Sequence, residues 1–159
     1  KHHTSMWRVN SDGSELELQV PYGHHTSHFA WRDAERIMVW PDVLGPMRFV
    51  EFRDRERDFE PFGGNVLPSD GHNAFSPDRQ WVVCDTYPQG EERLSELMLY
   101  HIETGEKVSL GKFHSEPQYT KDIRCDLHPR WAQDGQTITF DSVHGETRQI
   151  YLADVSGVV

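Results

Sequence analysis

The amino-acid sequence predicts an all-β fold, about three and a half four-stranded blades of a β-propeller, on three observations. A His–aromatic–Asp pattern recurs three times, short β-rich runs are separated by hairpin turn signals, and no segment joins helical periodicity to caps at both ends.

The repeat carries most of the prediction. Its copies are His28-Phe-Ala-Trp31 with Asp33 leading into residues 36–40, His72-Asn-Ala-Phe75 with Asp78 leading into 81–84, and His128-Pro-Arg-Trp131 with Asp134 leading into 137–140. In the first copy the Asp comes one position early. The copies begin 44 and 56 residues apart, which suits propeller blades of roughly 40–50 residues with one enlarged connection. Trp31, Phe75 and Trp131 are expected in the core between blades, and Asp78 and Asp134 are expected to form tight turns.

The remaining strands fall between the copies. Residues 6–9 and 16–20, joined by Ser11-Asp12-Gly13, read as a hairpin. Residues 97–100 and 107–110 are joined by the turn at Glu103-Thr104-Gly105, and 149–153 supply a last strand. The nearest helical candidate is a short turn over 91–98. Residues 1–159 thus read as one partial propeller domain, with blades starting near 28, 72 and 128 and residues 1–22 ending a preceding blade. Propellers close on themselves to protect their sheet edges, typically with four to eight blades, so the expected whole is a larger ring with further N-terminal blades as this segment's partner.

Composition narrows the function. With 26 acidic and 16 basic residues the formal charge is −10, which repels a polyphosphate and argues against a nucleic-acid partner. An acidic substrate would need a local cation, either Arg/Lys or a metal. No apolar run approaches the roughly 18 residues of a membrane-spanning helix, and the start Lys1-His2-His3-Thr4 resembles neither a signal peptide nor an initiator Met. Cys84 and Cys125 lack paired spacing and read as free thiols, which leans towards a reducing, cytoplasmic setting over a periplasmic one.

Propeller topology places chemistry at one rim. The innermost strand of each blade starts at the channel mouth, so His28, His72 and His128 are expected to meet there. Loops after the second strands return Asp85 and Asp141 to the same rim, and the connection over 113–127 adds His114, Lys121, Arg124 and Asp126. Imidazoles with carboxylates suit a divalent Mn, Fe or Zn, and an open coordination position would make such a centre catalytic. The other reading is that a His at a strand start only bonds a neighbouring loop. His2, His3, His24, His25 and His144 read as loop residues with no assigned role.

Three stretches resemble one family. Asp70-Gly-His-Asn-Ala-Phe-Ser-Pro-Asp78, Asp85-Thr-Tyr-Pro88 and Arg124-Cys-Asp-Leu-His-Pro-Arg-Trp131, the last followed by Phe140-Asp-Ser142 and Arg148-Gln-Ile-Tyr151, are similar to oligogalacturonate lyase-type propellers of the TolB-like class, a resemblance that implies a seven-bladed ring. The resemblance implies a metal-dependent polysaccharide lyase that cleaves short pectic oligogalacturonides by β-elimination, with manganese held by histidines and a Gln. It implies that His72 and His128 are metal ligands and His28 the base. Where the family carries Gln-x-x-His-x-His, this chain has Ile123-Arg-Cys-Asp126-Leu-His128, so Ile123 replaces the Gln and Asp126 a His. A carboxylate still suits manganese or another divalent metal, making Asp126 the third expected ligand. The metal is expected at the reacting sugar's carboxylate and Arg124, in bidentate fashion, at a second carboxylate, with Arg130, Lys121, Asp85 and Asp141 at the rest of the substrate. The alternative reading is a non-catalytic TolB-like module that binds a protein or glycan. Two further readings are a propeller attached to a larger hydrolase and a metal enzyme acting on another carbohydrate.

Overall fold

The computed structural model describes residues 3–67 and 69–159, so His2 lies outside the described residues. Among the described residues, thirteen strands form four antiparallel sheets. The first sheet is β1 (Thr4–Arg8) and β2 (Glu17–His24). The second is β3 (Thr26–Trp31), β4 (Arg36–Pro41), β5 (Val50–Arg53) and β6 (Glu60–Pro61). The third is β7 (Asn73–Phe75), β8 (Trp81–Asp85), β9 (Leu94–His101) and β10 (Lys107–His114). The fourth is β11 (Arg130–Trp131), β12 (Thr137–Ser142) and β13 (Gln149–Asp154). Strands pair in chain order within each sheet, as in propeller blades, and the 2-4-4-3 strand count matches the sequence reading. No helix among the described residues is long and apolar enough to cross a membrane.

The chain divides into two compact units, Lys1–Asp70 and Gly71–Val159. In the first, Ile37, Val39, Val50 and Phe52 form the core, with Met6, Val43 and Phe59 packed on it. In the second, Trp81, Val83, Leu97 and Leu99 of the third sheet meet Leu127, Ile138, Phe140 and Val155. Cys84 and Cys125 are both free and buried.

Aspartates build the repeated turns. Asp134 accepts backbone N–H bonds from Gln136 (2.8 Å) and Thr137 (2.9 Å), and Asp33 does the same for Glu35 and Arg36, both at 2.9 Å. Asp78 accepts from the Ser76 hydroxyl at 2.6 Å and from the Gln80 N–H at 3.1 Å. The first turn is one residue shorter than the others. It closes from Arg32 to Arg36, whereas the others close from Ser76 to Trp81 and from Ala132 to Thr137, which is why Asp33 comes early.

Two expectations are corrected. Residues 91–98 form no helical turn: Gln89 and Leu94 exchange backbone hydrogen bonds, Gly90 and Arg93 take positive φ, and the chain turns straight into β9. Its residues 97–100 are apolar without alternation because both faces of that strand are buried. Trp31 is not core but 48% exposed. Trp131 rests on the preceding sheet's innermost strand, donating its Nε1–H to the Ala74 carbonyl at 3.2 Å. The sheet before Trp31 consists of β1 and β2, with no counterpart of β7 among the described residues for that ring to cover.

Candidate metal centre

In the second unit one buried carboxylate organises both histidines. Asp85 ends β8 and is 2% exposed. Its Oδ1 accepts the His72 backbone N–H at 2.6 Å, and its Oδ2 accepts the His128 backbone N–H at 2.9 Å. The His72 ring approaches the same carboxylate through Nδ1, at 3.2 Å from Oδ1 and 3.0 Å from Oδ2. A carboxylate only accepts, so this nitrogen carries the proton. The Asp85 N–H in turn donates to the His72 carbonyl at 3.1 Å. Gly71 permits this closeness, because a Cβ there would overlap the Asp85 carbonyl and crowd Oδ1.

The two imidazoles stack, with ring centroids 3.4 Å apart and planes 30° from parallel. Partial desolvation, and then the neighbouring His72, lower the pKa of His128 below the usual histidine value. His128 also adopts a left-handed backbone, φ +42°, which costs a non-glycine residue roughly 1–2 kcal/mol and persists only where its surroundings impose it.

Asp126 completes the cluster. One donor atom from each of His72, Asp126 and His128 lies within 4.8 Å of the others, and among the described residues these form the one such group. Two ligands on opposite sides of a first-row ion stand roughly 4 Å apart at ordinary bond lengths, so small side-chain rotations would close this set around one ion. Two nitrogens and an oxygen fit Mn, Fe or Zn and leave coordination positions open.

Arginines stand beside the cluster. Arg124 donates from Nε to both Asp126 oxygens, at 2.6 and 2.8 Å, and its guanidinium lies 4.7 Å from the Tyr87 ring centroid. The Asp126 carboxylate raises the pKa of that guanidinium. Arg148 donates to the Arg124 carbonyl at 2.6 Å. Arg130 approaches Asp141 at 3.7 Å. Lys121 is exposed at the start of a 3-10 helix, Lys121–Ile123, and Ile123 is 60% exposed with no donor atom to offer. His114 points instead to its own hairpin, with Nδ1 donating to the Glu92 carbonyl at 2.8 Å.

The first unit holds a second set of imidazoles. His28 lies within β3, not at its start, again at φ +42°. Its Nδ1 sits 2.7 Å from Asp70 Oδ1 and 2.8 Å from Ser27 Oγ. At the head of β3 stands His25, whose N–H donates to Asp42 Oδ1 at 3.1 Å while the Asp42 N–H donates back to the His25 carbonyl at 3.2 Å. This is the reciprocal pair that joins His72 to Asp85. The His24 ring adds a bond to Asp42 Oδ1 at 2.9 Å. Asp42, Asp70, His25, Trp40 and Met47 line a cavity of about 510 Å³.

No protein-family model matches the chain, and no curated protein matches its sequence. Solved structures do. TolB from Acinetobacter baumannii superposes with a TM-score of 0.73 at 17% identity, covering 98% of this chain and 36% of TolB. An oligogalacturonate lyase in complex with manganese gives 0.70 at 16% identity, covering 94% of this chain and 40% of the lyase. The fold is that of a TolB-like β-propeller. The chain spans about two fifths of the length of each of these structures, and identities this low speak for the fold alone.

Against that TolB-like frame, the sequence reading placed the histidines of the second unit at the head of their strands, where they are. It missed the pair at the head of β3. A register shift between Ser27 and Ala30 puts a bulge in that strand, so a His three residues before an aromatic picked out His28 instead of His25. The available signal was Asp42, which follows β4 as Asp85 closes β8. Asp85 differs too from its expected contact with substrate, since its carboxylate is buried against the two histidines.

Proposed function

We propose that this chain is part of a divalent-metal-dependent polysaccharide lyase that cleaves short oligogalacturonides by β-elimination. The observation that carries the reading is the convergence of His72, Asp126 and His128 donor atoms within 4.8 Å, backed by the buried Asp85. A ligating histidine characteristically donates its other ring N–H to a carboxylate, which is the part Asp85 plays for His72.

The C5 proton of a uronate is weakly acidic, and removing it builds negative charge on the adjacent carboxylate. A bound Mn2+ would supply Lewis-acid stabilisation of that charge. His28 is the proposed base. Asp70 holds its Nδ1, which leaves Nε2 to take the C5 proton, and as the C4–C5 double bond forms the C4–O bond breaks and the departing oxygen takes a proton from water. Arg124 is the proposed partner of a second uronate carboxylate, and Arg130 and Lys121 give the local positive charge that a chain of formal charge −10 otherwise lacks for an acidic substrate. In this reading Asp85 is a positioning residue, and Asp141 restrains Arg130 near the substrate.

The test is calorimetric titration with Mn2+ together with absorbance at the unsaturated-uronate band on adding digalacturonate. His128→Ala is expected to abolish tight manganese binding. Full affinity in that variant refutes the metal assignment, and absence of both metal and absorbance change in the full-length protein leaves the TolB-like binding-module reading.

A further inference from the structure

We propose that Arg124 and the metal compete for the Asp126 carboxylate, so that loading the ion frees the guanidinium to receive the carboxylate of an acidic sugar. The inference rests on the lyase reading and adds an order to it, metal first and anion second.

Arg124 Nε spans both Asp126 oxygens, at 2.6 and 2.8 Å, so neither oxygen is left to solvent alone. Asp126 is nearly buried, its side chain 8% exposed, while Arg124 is 43% exposed and has room to swing. Without an ion, the Arg124 charge is neutralised by Asp126 at 2.6 and 2.8 Å, so the guanidinium is closed to an incoming anion. A divalent ion on Asp126 reverses it. Two like charges at this range repel strongly in a partly buried site, which drives the guanidinium off the shared carboxylate.

The displaced side chain has a second seat. It already lies over the Tyr87 ring, 4.7 Å from the centroid, and Tyr87 stands edge-on to His72 at 5.8 Å, so a cation resting there stays beside the ligand set. The Arg124 backbone is pinned through its carbonyl by Arg148 at 2.6 Å, so the change is confined to the side chain.

The experiment is calorimetry of Mn2+ binding to the wild-type chain, Arg124→Gln and Arg124→Lys, then of digalacturonate binding to each Mn2+-loaded form. Arg124→Gln is expected to bind Mn2+ roughly tenfold tighter, and its loaded form digalacturonate roughly tenfold more weakly. Arg124→Lys, which keeps the charge, should stay within about threefold of wild type for Mn2+ and carries the comparison if the Gln variant melts early in EDTA. In the wild type, saturating digalacturonate should tighten Mn2+ binding by the factor by which Mn2+ tightens the sugar. Equal or weaker Mn2+ binding by Arg124→Gln overturns the competition and makes Arg124 an orienting partner of Asp126. Failure of wild type and variants alike to bind Mn2+ sinks the metal reading beneath it.

Discussion

The Asp85 carboxylate, at the end of β8, accepts the backbone N–H of His128 at 2.9 Å, tying the third sheet to the segment that opens the fourth. The same group holds His72 by backbone and ring. Asp85→Asn keeps the shape but has one accepting oxygen for donors that now use two. The expected result is a loss of about 1–3 kcal/mol in urea unfolding. Manganese affinity should fall roughly 10- to 100-fold by calorimetry, the usual effect of removing a carboxylate behind a ligating histidine. A variant that binds metal at wild-type strength would remove Asp85 from the site.

Gly71 is small for a steric reason. A Cβ would overlap the Asp85 carbonyl and come within 2.9 Å of Oδ1. Gly71→Ala must therefore displace the very group on which both histidines depend. It is expected to cost about 1–3 kcal/mol, as overpacking does, and to weaken metal binding alongside. Unchanged thermal unfolding in this variant would contradict the packing.

The fold was legible because each blade solves one packing problem with the same residues. Asp33, Asp78 and Asp134 each accept the N–H two residues on, so alignment of the sequence with itself exposes the turns and the strands they join. Chemistry was less legible. His25 and Asp42 meet across a β3–β4 register altered by a bulge, and no spacing rule counts an inserted residue. The part played by Asp85 was hidden for another reason. An Asp after a strand reads equally as a turn former or as a ligand contact, and only burial distinguishes a carboxylate turned inward to backbone N–H groups.

Acid should weaken the turns. The Ser76 hydroxyl, foremost, holds the Asp78 carboxyl below the usual aspartate value, and for Asp134 the N–H of Gln136 does the same. A carboxyl whose folded pKa lies below its unfolded value of 3.8 stabilises the fold fully above that value and loses the contribution as pH falls through the folded one. Stability is therefore expected to be level from these groups at neutral pH and to decline below about pH 4. Asp78→Asn should show a shallower acid limb in a series of urea melts between pH 5 and 2. An identical limb would mean that the Ser76 bond contributes nothing.

The reciprocal bonds of His25 with Asp42 match those of His72 with Asp85, so the first unit should answer to its own carboxylate. Asp42→Asn removes the charge that receives the His25 N–H and the His24 ring from a single oxygen, Oδ1. Amide exchange at His25 is expected to quicken about tenfold, as local opening becomes easier by the worth of one charge-assisted bond. Amides of His72 and His128, bonded to Asp85, should exchange at wild-type rates in the same sample, and Asp85→Asn should give the converse pattern. If Asp42→Asn left the His25 amide as protected as before, the likeness between the two pairs would be one of geometry without energy. Selective loss at each carboxylate would instead show that the starts of the second and third sheets are each held by the Asp at the end of the neighbouring strand.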